Sequence, residues 1–210
     1  MNAHTTALLI AAGLASAASA SITVSSTFDT DTDGWLLTGD GTDLMWTDTG
    51  GNPDGFIEAR DRGAGSIWGY AAPSKFVGDK SAFLGGMLEW DLIELASPGS
   101  PNNHPDVTLF GSGMTIVVDA GDNPATTWTS YSVSLSTDSD WRMGSLNGSV
   151  VTDEQFEMVL SSLTGMVIRG EFRSVGGDRS GLDNVVMIPA PASLAIVGLA
   201  GMGIARRRRG

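Results

Sequence analysis

The chain has no cysteine, so its 210 residues can form no disulfide, no thiolate nucleophile and no cysteine-ligated zinc site. Histidine is nearly as scarce, because only His4 and His104 are present. His4 lies in an apolar N-terminal segment, and His104 lies in a loop-like run of proline and asparagine. No Ser-His-Asp set, zinc site or phosphate-binding loop is credible, and we expect that the protein is not an enzyme. The alternative is a pair of carboxylates of the glycosidase type, but no pair is singled out among the many Asp and Glu residues.

Basic residues are also few, since 12 Lys and Arg stand against 24 Asp and Glu. All the acidic residues lie between Asp29 and Asp183, whereas four of the basic residues are arginines at the C-terminus. The body of the chain therefore carries 24 acidic and 8 basic side chains, a net charge of −16. This charge argues against nucleic acid as a partner, because a phosphate backbone must be neutralised by Lys and Arg.

The N-terminus has the features of a secretory signal peptide. An apolar run from Ala7 to Ala18 is followed by Ala18-Ser19-Ala20, a small-x-small cleavage pattern. We expect residues 1–20 to be removed by signal peptidase after Ala20. The alternative is a buried helix of the mature fold, but the run is rich in alanine and lacks helical periodicity.

The C-terminal tail, residues 189–210, resembles the PEP-CTERM sorting signal of Gram-negative bacteria. Its three parts follow in order: Pro189-Ala190-Pro191, an apolar run from Ser193 to Ala205, and the basic cluster Arg206, Arg207, Arg208 and Arg209. Ala190 stands where the family usually has glutamate. The resemblance implies export, transient anchoring of a hydrophobic helix in the inner membrane, and processing by an exosortase-like enzyme. The alternative is an ordinary C-terminal anchor, and both place the body outside the cytoplasm, at the cell surface or in the extracellular matrix.

The body, residues 21–188, has the pattern of one all-β domain. Short runs rich in β-branched and aromatic residues are separated by clusters of Gly, Asn, Asp and Pro, and Thr129–Leu135 alternates strictly. The predicted strands are Ile22–Phe28, a run from Trp35 to Leu37, Leu44–Thr47, Gly55–Ala59, Ser66–Ala71, Leu84–Glu94, Asp106–Phe110, Met114–Asp119, Thr127–Leu135, Met166–Phe172 and Leu182–Ile188. This number of short strands predicts a β-sandwich or jelly roll.

One segment has the period of a helix instead. Apolar residues from Phe156 recur at helical spacing, and Thr152 with Gln155 form a capping-box pair. We predict a short helix that covers one edge of the sandwich and stops at Gly165.

A series of segments resembles the laminin B domain, also called laminin IV type A, from about Phe28 to Met187. The series is Gly55–Asp61, Trp68, Ala72–Asp79, Gly85–Leu92, Asp106–Gly111, Trp128–Val133, Leu163–Phe172 and Leu182–Val185. The resemblance implies a jelly-roll β-sandwich of the galactose-binding-like type and an extracellular, mostly structural role. It brings no catalytic residues.

The stretch Phe28–Trp35, FDTDTDGW, raises the question of calcium. Asp29, Asp31, Asp33 and Gly34 match the start of an EF-hand-type loop, and Asp40 falls at its twelfth position. The alternative is an acidic turn, since strands rather than helices flank it.

A second acidic group surrounds the last predicted strand. Jelly rolls of this kind hold a structural Ca²⁺ between their first and last strands, so Asp178, Asp183 and Asn184 are candidate ligands. Glu58 or Asp61 would complete such a site. The alternative is that these side chains make hydrogen bonds in turns.

Aromatic residues are candidates for stacking on sugar rings. Trp68, Tyr70 and Trp141 are the best placed to be exposed and to contact a ligand, and the alternative is that such aromatic residues belong to the core. Trp35, Trp90 and Trp128 are predicted to be buried.

The leading interpretation is an exported, non-catalytic structural or adhesive module that binds another surface protein or the matrix. The alternative is a carbohydrate-binding module that retains exopolysaccharide. Exposed aromatic residues beside a groove would favour the second, and buried aromatic residues the first.

Overall fold

The computed structural model describes residues 22–63 and 65–191. The predicted signal peptide, the C-terminal apolar run and the arginines Arg206 to Arg209 lie outside the described residues, whereas Pro189-Ala190-Pro191 lies within them. Within these residues, no helix has both the length and the apolar character needed to cross a membrane.

The described chain folds into twelve strands and one α-helix. The strands are β1 (Val24–Ser26), β2 (Leu36–Thr38), β3 (Gly41–Thr47), β4 (Phe56–Asp61), β5 (Gly69–Ala71), β6 (Met87–Ala96), β7 (Val107–Gly111), β8 (Met114–Val118), β9 (Thr129–Ser134), β10 (Arg142–Met143), β11 (Leu163–Arg169) and β12 (Arg179–Ile188). The helix α1 spans Asp153–Ser161, and two short 3₁₀ turns lie at Ser74–Phe76 and Ser81–Phe83.

The strands form two antiparallel sheets of six strands each. Sheet 1 has the order β3-β4-β12-β6-β9, and β1 also pairs with β12. Sheet 2 has the order β10-β8-β7-β11-β5-β2. The last strand, β12, therefore lies in the middle of sheet 1, where it joins β4 and β1 to β6.

The core lies between the inner faces of the two sheets. On β6, Leu88, Trp90 and Leu92 are buried at every second position, and on β7 Val107 and Leu109 are buried in the same way. This alternation follows from the two-residue period of a strand, which points successive side chains to opposite faces. The predicted all-β jelly-roll sandwich is confirmed, and so are the eleven predicted strands, with shifted ends. The two-residue strand β10 was not predicted.

The predicted helix is confirmed together with its capping box. The Thr152 hydroxyl accepts the N–H of Gln155 at 3.3 Å, and the Gln155 side chain accepts the N–H of Thr152 at 3.0 Å. The predicted stop at Gly165 is wrong, because the helix ends at Ser161 and Ser162 already leaves the helical region with φ of −144°. Gly165 lies inside β11, at a shift in its register with β7. A side chain there would meet the ring of Phe110.

Candidate binding surfaces

The acidic stretch Asp29–Asp33 forms a turn whose carboxylates bind protein donors. The Asp31 carboxylate accepts the N–H of Asp33 at 2.6 Å, and the Asp29 carboxylate accepts the Thr27 hydroxyl at 2.7 Å. The Asp33 carboxylate forms an ion pair with Lys75. These contacts correspond to the acidic-turn alternative, in which Asp side chains bond to groups close in the chain.

The other predicted calcium ligands lie elsewhere. The Asp40 carboxylate accepts the N–H of Ser66 at 3.1 Å, whereas both Asp183 oxygens accept backbone N–H groups, from Asn52 at 2.6 Å and Asn184 at 2.7 Å. Among the described residues, no three acidic or histidine side chains are grouped to hold a metal ion. Neither predicted ligand set, the loop of Asp29, Asp31, Asp33 and Asp40 or the group around Asp183, is therefore brought together as a metal cluster among the described residues.

Asp183 is the centre of a buried polar cluster on sheet 1. Burial raises the pKa of Asp183 to about 6, and the charges of Asp91 and Asp29 act in the same direction. The N–H groups of Asn52 and Asn184 partly oppose this rise in pKa. The side-chain amides of the same two asparagines both donate to Asp91, at 3.1 and 2.9 Å. The cluster thus ties residues 50–54 to β6 and β12.

The remaining carboxylates of the second calcium hypothesis have separate partners. Asp178 accepts the N–H of Phe172 at 2.8 Å, Asp61 accepts the N–H of Gly63 at 2.9 Å, and Glu58 pairs with Arg179. Burial raises the pKa of Asp178, and the hydrogen bond from Phe172 opposes that rise.

The predicted exposure of Trp68, Tyr70 and Trp141 is wrong, because their exposed fractions are 1%, 0% and 1%. Trp141 packs edge-to-face on Phe156 of α1 at 5.3 Å, and its indole N–H donates to the carbonyl of Ser134 at 2.9 Å. Trp141 is therefore buried under the helix although its neighbours in the sequence are polar. These rings have no free face for a sugar.

Trp68 and Tyr70 are buried against each other, and Tyr70 also contacts the start of β12. Their rings lie 5.3 Å apart, and the Tyr70 hydroxyl donates to the carbonyl of Ser180 at 2.7 Å. Burial raises the pKa of Tyr70. Gly170 is required below Trp68, because a Cβ there would lie 2.2 Å from the indole.

The remaining tryptophan predictions were partly right. Trp35 and Trp90 are buried as expected, whereas Trp128 is only half-buried. Trp128 packs edge-to-face on Phe56 at 5.3 Å and donates to the carbonyl of Gly50 at 2.8 Å.

Arg169 is a buried arginine that was not predicted, and it organises the loop of residues 97–105. Its guanidinium donates to the carbonyls of His104 at 3.1 Å and Asn102 at 2.9 Å, and to the amide oxygen of Asn123 at 3.2 Å. Its ion pair with Asp106 spans 3.4 Å. Burial raises the pKa of Asp106 to about 6, although the N–H of Ala120 and the charge of Arg169 oppose the rise.

The outer surface of sheet 2 carries a row of uncharged residues. The strand registers place Thr108, Val167, Ala71 and Leu36 side by side across β7, β11, β5 and β2. Leu36 is 67% exposed. Ile67 and Phe110 are also exposed, and they border a depression of about 330 Å³ next to the row. We call this row, with Ile67 and Phe110, the sheet 2 surface.

A groove of about 640 Å³ lies at the outer side of sheet 1. Its lining residues are Asp43, Leu44, Met45, Ala59, Arg60, Ala96, Gly177 and Arg179. Arg60 and Arg179 are direct cross-strand neighbours on β4 and β12. Each has its own carboxylate, since Arg60 pairs with Asp43 and Arg179 pairs with Glu58.

Two antiparallel sheets packed face to face, with the last strand in the middle of one of them, define a jelly-roll module of the kind found in laminin and carbohydrate-binding domains. The sequence agrees with this class, because residues 69–195, more than half of the chain, match the family model described as Laminin B (Domain IV). The chain belongs to the laminin B family.

Several solved structures share the fold. The CBM22-1 xylan-binding domain of Xyn10C from Paenibacillus barcinonensis matches with a TM-score of 0.51 and 14% identity, over 84% of this chain and 100% of that one. The family 11 carbohydrate-binding module of the cellulase Lic26A-Cel5E from Clostridium thermocellum matches with a TM-score of 0.50 and 14% identity, over 80% and 95%. The L4b domain of human laminin alpha-2 matches with a TM-score of 0.48 and 16% identity, over 59% and 70%. Membership of the family supports an extracellular, non-catalytic module.

Proposed function

We propose that the protein is an exported structural or adhesive module that attaches to another protein of the cell surface or matrix through the sheet 2 surface. The observation that carries this proposal is the uncharged row Thr108, Val167, Ala71 and Leu36 on a body with a net charge of −16. A contiguous apolar area on a soluble domain is typical of a protein contact.

Charge also favours this surface over the rest of the molecule. The outward positions of β2, β5 and β7 in the row carry no ionisable side chain, and Arg169 on β11 is buried. A partner docking there removes few charges from water, and the centre of a protein interface is typically depleted of charged residues. Ile67 and Phe110 would supply the large apolar contacts.

The route to the surface follows from the two ends of the sequence. The signal peptide of residues 1–20 would direct export, and the tail of residues 189–210 would be recognised by an exosortase-like enzyme after transient anchoring in the inner membrane. Pro189 directly follows β12, so the proposed processing motif adjoins the folded domain. A secreted form whose mass still includes Arg206 to Arg209 would contradict this sorting.

The adhesive role is tested by retention in the matrix. Cells producing the wild-type chain are compared with cells producing Ile67→Glu with Phe110→Glu, and the protein is measured in the matrix pellet and in the medium. We expect the double variant to move to the medium, because two carboxylates would have to lose their water in the contact. Val175→Glu, which places the same charge at another exposed apolar residue, is the matched control and should stay in the pellet.

A second arm identifies the partner's chemistry. Purified wild-type protein is added back to matrix treated with a protease or with glycoside hydrolases. Rebinding lost only after protease treatment supports a protein partner. Retention of the double variant at the wild-type level, or rebinding that withstands the protease, would refute the proposal.

A further inference from the structure

We propose that the groove on sheet 1 binds a neutral polysaccharide, as a second contact independent of the sheet 2 surface. The groove is lined by Arg60 with its partner Asp43 and by Arg179, whose partner Glu58 is buried beside it. Two of the eight basic residues of the body thus stand directly opposite each other on neighbouring strands.

Like charges directly opposite across two strands are destabilising by themselves. Here each arginine is neutralised by its own carboxylate, so the four side chains carry no net charge together. The arrangement therefore does not need an anion to balance it. Such a pairing also leaves hydrogen-bonding capacity that the protein does not use.

The unused capacity is on the guanidinium groups. Arg60 directs Nε and Nη2 to Asp43, and Arg179 directs Nη2 to Glu58. Among the described residues, Nη1 of both arginines and Nε of Arg179 have no hydrogen-bond partner. A guanidinium offers five N–H donors, and a carboxylate offers about four acceptor positions. The wall of the groove therefore presents donors from the two arginines and acceptors from Asp43.

Donors and acceptors on one wall fit sugar hydroxyls, because each hydroxyl both donates and accepts. An anionic polymer would find no net positive charge at the groove to attract it. The body, with a net charge of −16, would repel it. Met45, Leu44 and Ala96 add an apolar wall for the C–H face of a sugar ring. The volume of about 640 Å³ falls in the range of small-ligand sites.

A peptide is a poorer match for the same groove. The groove borders β3, the edge strand of sheet 1, to which an extended peptide could add through backbone hydrogen bonds. The β3–β4 register shifts between Thr42 and Met45, and Asp43 has a positive φ of 56°. Such an irregularity bends an edge strand and interrupts the row of groups that an added strand needs. A ligand in this groove is therefore recognised by side chains and not by the backbone groups of β3.

The test is electrophoresis of the purified full-length chain through native gels that contain one polymer each. The neutral probes are xylan, mixed-linkage β-glucan and galactomannan, and the anionic probes are polygalacturonate and poly-glutamate. We expect at least one neutral polysaccharide to retard the wild-type chain. The gels also contain a detergent without a sugar head group, which keeps the apolar N-terminal and C-terminal segments of the chain in solution.

Arg60→Met is the first variant, because its partner Asp43 is about half exposed and tolerates the loss. Arg179 is left intact, because its partner Glu58 is buried and would be left as an unpaired charge. Loss of a charged hydrogen-bonding group should weaken binding roughly tenfold. Ala96→Trp, at the cross-strand neighbour of Arg179, places a large ring in the groove and should abolish retardation. Arg142→Met, which removes an arginine paired with Asp140 elsewhere, is the matched control.

The outcomes separate this site from the sheet 2 surface. Retardation that Arg60→Met weakens, and that Arg142→Met and the Ile67→Glu, Phe110→Glu variant leave unchanged, supports the groove. The proposal is overturned if no neutral polysaccharide retards the chain, if only an anionic probe does, or if Arg60→Met migrates like the wild type. Thermal unfolding of each variant identifies any that do not fold. If Ala96→Trp does not fold, the result for Arg60→Met alone decides whether the proposal stands.

Discussion

The two buried carboxyl groups of Asp183 and Asp106 should make the domain less stable as the pH rises from about 4.5 to 7. The pKa of each is about 6 in the folded chain, against an ordinary value of 3.8. Between these two values the folded state holds protons that the unfolded state has released. Stability from this source is therefore greatest at low pH and is lost as the pH rises through about 6.

The structure sets the size of this effect. A shift of this extent corresponds to at most about 3 kcal/mol for each carboxyl group, and relaxation around the charge reduces it, so we expect about 1–2 kcal/mol each. Asp178 and Glu171 act in the same direction, since burial raises the pKa of both. Asp79, whose pKa is lowered by hydrogen bonds from Ser81, acts in the opposite direction.

The assay is urea unfolding of the wild type and Asp183→Asn across this pH range. Asparagine cannot ionise, so the stability of the variant relative to the wild type should increase by about 1–2 kcal/mol between pH 4.5 and 7. Asparagine also loses one acceptor for the N–H groups of Asn52 and Asn184, which lowers its stability by a constant amount. Parallel curves for the two proteins would refute the reasoning. Asp48→Asn, at an exposed position, is the control and should follow the wild type.

Two further predictions concern local contacts. Thr152→Ala should lower the free energy of unfolding by about 1 kcal/mol, because the helix loses its capping hydroxyl, and urea unfolding beside the exposed control Thr30→Ala checks it. Calcium or EDTA should leave the unfolding midpoint unchanged, because Asp31 and Asp33 already bind an N–H group and Lys75. A midpoint several degrees higher in calcium would show that the ion displaces these contacts.

Local pattern was enough to predict the helix, the strands and the fold class. The helix α1 has its capping pair and its apolar spacing within a dozen residues, so no distant contact is needed to recognise it. The alternation in β9 likewise reflects the one buried face of that strand.

The exposure of aromatic side chains could not be read from their neighbours. Trp141 follows acidic residues in the sequence, yet Phe156 of α1 covers its ring. The backbone of Gly170 lies close to the indole of Trp68 and helps to bury it. In both cases the burying contact comes from a distant part of the chain, and a single sequence does not show which distant segments meet.

The groove on sheet 1 was not predicted from the sequence for a related reason. Arg60 and Arg179 become neighbours only through the register of β4 with β12. The candidate calcium ligands Asp29, Asp31 and Asp33, by contrast, lie within five residues of the sequence. Their carboxylates are taken up by local donors, whereas the groove depends on pairing between the first third of the chain and its end.

The central position of β12 affects how the protein can be made. Sheet 1 needs this strand to join β1 and β4 to β6, yet β12 is the last strand of the domain to be synthesised. Before residues 179–188 have been synthesised, β1 and β4 have no strand that pairs them with β6. Sheet 1 is then incomplete beside β6. Folding of the sandwich must therefore wait until nearly the whole body has emerged, and pairing over such sequence distances is slow. A chain that stays open for this long is suited to transport across a membrane before it folds.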